Sequence, residues 1–153
     1  MNYIRLNLQM ACEEVNGVPK KRDFLRWLYG MLSLFKKQVE ITIRVVDEPE
    51  IYALNMMYRG KNQTTNVLSF PCNVFEEIKL PLLGDLVICR QIVERQAYQQ
   101  EKLLESHWAH MVIHGSLHLL GYDHVKIKEA YNMESLEIKI MNELGYQNPY
   151  YLK

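Results

Sequence analysis

All five histidines of this 153-residue chain lie between His107 and His124. Four of them, His107, His110, His114 and His118, follow at steps of three and four, which sets them on one face of a helix. A helix rises 1.5 Å per residue, so His110 and His118 stand about 12 Å apart along its axis. One ion with metal–nitrogen bonds of about 2.0–2.1 Å cannot bridge that distance. At most two adjacent members of the stripe can share an ion, and His114 and His118 are one such pair. A third ligand has to come from elsewhere. Gly121 offers the route: a glycine just past the helix can take positive φ and turn the chain back, returning His124 towards the pair. Three neutral imidazoles suit Zn2+, with Ni2+ or another divalent transition metal as alternatives. Three protein ligands leave a fourth position open to water, as in catalytic rather than structural zinc sites. His107 and His110 are expected to pack or to support ligands rather than to bind.

The elements that must position this stripe follow from hydrophobic periodicity. Tyr3 to Met10 and Val39 to Val46 alternate as strands. A helix opens at Pro19 and carries Phe24, Leu28, Met31 and Phe35 at helical spacing. Asp47 with Glu50 has the form of a capping box, starting a helix that runs to Tyr58 and stops at Gly60. Asn66 to Phe70 is a short strand, Cys72 to Leu83 a loop, and Leu86 to Cys89 a strand buried on both faces. Helices follow over Gln91–Gln100, Leu104–Leu120 (closed by Gly121) and Lys126–Leu144. The order predicts an α+β (α/β-like) fold, a mixed sheet of about four strands covered by helices. The length predicts one domain and the open metal position a catalytic one, a single catalytic domain over residues 1–153.

Composition narrows the class. Hydrophobic residues make up 48% and charged residues 24%, an ordinary globular balance. Eighteen basic and eighteen acidic residues cancel, which argues against coating nucleic acid by bulk charge. The cancellation hides unlike halves: residues 20–62 carry a net +4 and residues 63–153 a net −3. The N-terminus lacks a cationic segment followed by an apolar one, so no secretory signal is expected. The stretch from Ser106 to Tyr122 is too polar and slightly too short to span a bilayer. Cys12, Cys72 and Cys89 form no CxxC pair and read as reduced thiols of a cytoplasmic protein.

Two known patterns share the histidine spacing. The metzincin zinc proteases carry H-E-x-x-H-x-x-G-x-x-H. Every His and Gly of it has a counterpart between His114 and His124, so the metal helix is zincin-like. The Glu, which takes the proton from the metal-bound water, is replaced here by Gly115. The whole run from His114 to His124, HGSLHLLGYDH, more closely resembles the signature of the YbeY family. These are bacterial metal-dependent endoribonucleases linked to ribosomal RNA maturation. Tyr58 to Pro71, YRGKNQTTNVLSFP, is similar to that family's YRGK followed by T-(D/N)-VLSFP, with a local departure at Gln63-Thr64. Leu83-Gly84-Asp85-Leu86-Val87-Ile88 looks like its third motif, GD leading into an apolar strand.

The resemblance implies hydrolysis of RNA phosphodiesters, with a preference for single strands, in ribosomal RNA 3′-end maturation and ribosome quality control. It implies RNA as partner, the ribosome or ribosomal proteins beside it, and neither DNA nor membrane. Its functionally important arginine falls on Arg59. A guanidinium there suits a phosphate, which it can hold in bidentate fashion, with Lys61 as a second attraction. The general base stays open: Asp123 could orient a histidine instead, Asp85 could orient a ligand or cap a helix, and the substrate phosphate or an RNA 2′-hydroxyl could replace a protein base. Two other readings remain, a zinc-dependent protease and a non-catalytic RNA-binding assembly factor.

Overall fold

The computed structural model describes residues 3–35, 38–72, 82–123 and 125–151. Two alternating segments become β1 (Ile4–Ala11) and β2 (Val39–Val46), paired in parallel from Ile4 opposite Val39. Between them runs α1 (Lys21–Tyr29). After β2 come α2 (Glu48–Arg59), β3 (Val67–Pro71) and β4 (Leu82–Cys89). Three helices close the order: α3 (Arg90–Gln99), α4 (Leu104–Leu119) and α5 (Ile127–Glu143). The sheet runs β1-β2-β4-β3, with β4 parallel to β2 and β3 antiparallel to β4 at the edge. This is the α+β fold with a four-stranded mixed sheet that the periodicity predicts.

The strands bury both faces unequally. Ile41, Ile43, Val45, Leu86 and Ile88 face the larger core with α1, α4 and α5, around the fully buried Phe24, Trp27 and Trp108. Val46, Leu68, Val87 and Cys89 face a smaller cluster under Ile51 of α2. Fully burying one such apolar side chain contributes about 1.5–3 kcal/mol, so the larger core dominates stability. Its centre is α4, whose residues from His107 to Leu119 are buried at all but His114 and His118. A helix covered everywhere but at these two positions holds its side chains in fixed directions.

Three expectations are corrected. Helix α1 ends at Tyr29, and a 3-10 turn over Leu32–Leu34 follows. Met31 and Phe35 still reach the core; their spacing reported burial and not a continuous helix. Asp47 does sit at the start of α2, but it forms no capping box. Its carboxylate accepts the Glu13 backbone N–H at 3.0 Å and the Gln91 amide at 2.7 Å, while Glu50 takes Arg44 at 2.6 and 3.0 Å. Donors from distant elements displace the local cap. Strand β4 begins at Leu82, inside the expected loop; the rest of that loop, residues 73–81, lies outside the described residues.

Two glycines let the layers meet. At Gly84, with φ +147°, an added Cβ would overlap the Phe70 carbonyl oxygen on the paired strand. At Gly115 a Cβ would come within 2.8 Å of Leu86 Cδ2 and 3.2 Å of Val67 Cγ2. Helix α4 lies directly on β3 and β4 there, and Ser69 Oγ donates to the Gly115 carbonyl at 3.0 Å. Gly84→Ala, confronting backbone, lowers stability by about 3 kcal/mol and Tm by roughly 10 °C. Gly115→Ala costs about 1–3 kcal/mol, because a buried leucine must repack. Thermal melts check both, and a Gly84→Ala protein melting within about 2 °C of wild type would remove the close approach from the account.

Candidate metal and phosphate site

The histidine stripe forms as the spacing requires. Ring centroids are 6.3 Å apart for His107 and His110, 6.0 Å for His110 and His114, and 4.8 Å for His114 and His118. The two C-terminal members are half-buried, and both line a cleft of about 720 Å³ together with Tyr58, Arg59, Ser69 and Asp123. Arg59 arrives from the last turn of α2, which stops at Gly60. The loop beyond is tied back by buried Asn55, whose amide donates to the Gln63 carbonyl at 2.9 Å. Lys61 is exposed on that loop. Tyr58 is 63% exposed and meets Phe70 edge-on at 5.3 Å.

Helix α4 gives way to Gly121, whose φ of +100° lies in the region only glycine enters freely. The Tyr122 N–H bonds back to the Leu117 carbonyl at 3.0 Å, so the chain turns as expected. Asp123 follows on the cleft wall. His124, expected as third ligand, lies outside the described residues. Asp85 is exposed on the sheet face opposite the histidines, because β4 turns Leu86 and Ile88 towards α4. It therefore neither orients a ligand nor caps a helix among the described residues.

The two upstream histidines meet interior partners. His107 Nε2 lies 2.8 Å from Gln96 Oε1, which also accepts from Asn66 at 3.2 Å. His110 Nε2 lies 2.9 Å from Oε2 of Glu137, and His114 Nδ1 lies 2.6 Å from Oε1 of the same residue. Glu137 is completely buried, and the Tyr150 hydroxyl also donates to it. Burial pushes the Glu137 carboxyl upward, but the bonds from His110 and His114 outweigh this and hold its pKa at about 2. Burial raises the Tyr150 hydroxyl, reinforced by the neighbouring carboxylate. Sequence reasoning missed Glu137 and Tyr150. A usable sign existed: Glu137 interrupts the apolar stripe Met133, Ile140, Met141 of α5.

The chain matches the model of a known family, Endoribonuclease YbeY, over residues 13–145. It belongs to the YbeY endoribonuclease family. A YbeY chain is an RNA hydrolase of the endonuclease class, with a general role in ribosomal RNA processing. The chain is also similar to the solution structure of TM1509 from Thermotoga maritima. Identity is 31%, the TM-score is 0.64, and the match covers 93% of this chain and 89% of that one. Among the described residues of this YbeY chain, no helix is long and apolar enough to cross a membrane.

The donor chemistry fits a divalent transition metal. His114 and His118 offer two imidazoles one helical turn apart at a cleft. On proximity alone, His110, His114 and Glu137 could also hold an ion, since their ligand atoms lie within 4.8 Å of one another. Two of those separations, 2.6 and 2.9 Å, are hydrogen-bond lengths. Ligands on a tetrahedral ion stand about 3.3 Å apart. With Nδ1 of His114 committed to Glu137, the nitrogen His114 would offer a metal is Nε2. Gly115 faces the sheet, so the protease glutamate has no room at that position.

His107 supplies a pH dependence. Burial, then His110 and Lys102, lower its pKa from 6.5 to about 4. Between those values the unfolded chain binds the proton and the fold does not. Stability of the metal-free protein therefore falls as pH drops from 7 to 5, His107 contributing about 2 kcal/mol of the loss. Urea unfolding at both pH values shows a dependence smaller by that amount in His107→Gln. Equal dependence in both proteins would rule His107 out as the source.

Proposed function

We propose that this chain is a metal-dependent endoribonuclease preferring single-stranded RNA, acting in ribosomal RNA 3′-end maturation and ribosome quality control in the cytoplasm. On this reading residues 1–153 form one catalytic domain. His114, His118 and His124 hold the metal, zinc or another divalent ion such as nickel, and Arg59 binds the scissile phosphate. The ribosome or its proteins present the substrate.

One observation carries the reading: Arg59 lines the same cleft as His114 and His118 although it lies 55 positions earlier in the chain. A guanidinium opposite a pair of imidazoles suits a phosphodiester, because the fork grips two phosphate oxygens while the imidazoles accept a cation. Bound there, the metal would polarise a phosphoryl oxygen and make water acidic enough to attack near neutral pH. The chain's own residues do the rest. Arg59 draws the phosphate in and neutralises charge that builds up during cleavage. The rigid turn of α4 keeps the two imidazoles in register, and the Gly60 stop keeps the Arg59 side chain at the cleft rim. Unpaired RNA can lay its backbone in such a cleft with its bases splayed, whereas a duplex keeps its bases stacked inward.

Cleavage of a labelled single-stranded RNA tests this. Chelation and His114→Ala abolish cutting, and added zinc restores the chelated wild type. Arg59→Ala lowers the rate about 10²–10³-fold, and Arg59→Lys recovers little because an ammonium lacks the fork. Cutting by the chelated or His114→Ala protein at the wild-type rate would falsify the metal mechanism. Tight RNA binding with no cleavage by any preparation would favour the assembly-factor reading.

A further inference from the structure

We propose that Glu137 and Tyr150 form a positioning pair for the metal site, fixing the tautomer and orientation of His114 from behind α4 so that its Nε2 is the ligating atom. This rests on the reading that His114 binds a metal.

Geometry carries the argument. A carboxylate can only accept hydrogen bonds, and Glu137 receives three: from His114 Nδ1 at 2.6 Å, from His110 Nε2 at 2.9 Å, and from the Tyr150 hydroxyl. Both ring nitrogens facing it must then carry hydrogen. For His114 that selects the Nδ1–H tautomer and turns the ring so that Nε2 lies on the side away from α5. For His110 it selects Nε2–H, and His110 Nδ1 is buried with no hydrogen-bond partner among the described residues. A nitrogen left bare in the interior is unfavourable, so His110 is spending its own hydrogen bonding on Glu137. His110 on this account supports Glu137 and is not a ligand.

Tyr150 extends the device beyond the helices. It lies five residues past the end of the family match, in the segment after α5. That segment turns back through Tyr146 N–H to the Met141 carbonyl at 2.9 Å. Lys102 grips the Pro149 carbonyl, and Tyr150 N–H meets Asn148 Oδ1 at 2.8 Å. The Tyr150 ring stands edge-on to His110 at 5.4 Å and 84°. The hydroxyl thus arrives held on both sides, and it satisfies the same carboxylate oxygen that accepts from His110. A carboxylate with three donors from two elements cannot swing, and its rigidity passes to the His114 ring. Partners of this kind typically alter metal affinity 10–100-fold when removed.

The test measures zinc binding by competition with a chromogenic chelator. It also reads the ring-nitrogen NMR signals of His110 and His114 in the metal-free and zinc-loaded protein. Glu137→Gln offers one acceptor and one donor, so one histidine must change tautomer or lose its bond. Zinc affinity falls about 10–100-fold, and the metal-free His114 signals move towards a tautomer mixture. Tyr150→Phe weakens zinc binding severalfold in the same direction, and Tyr151→Phe, altering an exposed neighbour, leaves it unchanged. Zinc added to the wild type shifts His114 Nε2 and leaves its Nδ1–H in place. The proposal is overturned if both variants bind zinc as the wild type does, or if affinity falls with His114 signals unmoved. It is also overturned if zinc displaces the Nδ1 proton. Should Glu137→Gln fail to fold, Tyr150→Phe decides alone. A wild type that binds no zinc, or a His114→Ala protein that binds it equally well, overturns the metal reading and this proposal with it.

Discussion

An ionised carboxylate with no access to water sits where α4 crosses α5, and its neighbourhood is organised to supply it with hydrogens. Burying a bare charge costs several kcal/mol, so Glu137 constrains its surroundings more than any apolar contact does. His110, His114 and Tyr150 must all be placed to donate, and they come from a helix and from the segment after α5. Together with the core packing of α4, that requirement fixes the rotation of the helix about its own axis. The rotation decides the rest: Gly115 meets the sheet, and His114 and His118 line the cleft.

The sheet answers a different need. With β3 antiparallel at the edge and β4 inside it, α2 and α4 lie over opposite faces of the same strands. Arg59, at the end of α2, and the histidines of α4 line one cleft, and all of β3 lies along it. A fully parallel arrangement would need another crossover of a dozen or more residues at that edge. The short antiparallel strand forms part of the cleft wall.

Much of this was legible in the residues because the periods were clean. The i, i+3, i+4 steps of the histidines and the alternation of β1 and β2 translated directly into a shared helix face and paired strands. The site was legible as far as chain-local chemistry reaches: His114, His118 and the Gly121 turn. What stayed hidden depends on contacts between distant elements. Asp47 carried the local pattern of a cap, yet donors from Glu13 and Gln91 claimed its carboxylate. Met31 and Phe35 kept a helical spacing across the end of a helix, because burial and helicity share a period. Glu137 broke a legible apolar stripe, but the donors that keep it there, His110, His114 and Tyr150, are brought to it only by the fold.

The edge strand has a further consequence. Every residue from Thr65 to Pro71 contributes to the cleft wall, although side chains alternate across a strand. Leu68 turns its side chain into the smaller core, so it meets the cleft through its main chain. Peptide groups keep their spacing whatever side chains they carry, so that point of the wall is insulated from substitution. Divergence of selectivity within this scaffold is more readily written in side chains that reach the cleft, such as exposed Tyr58 and Arg59, where a single codon can change what the cleft accepts.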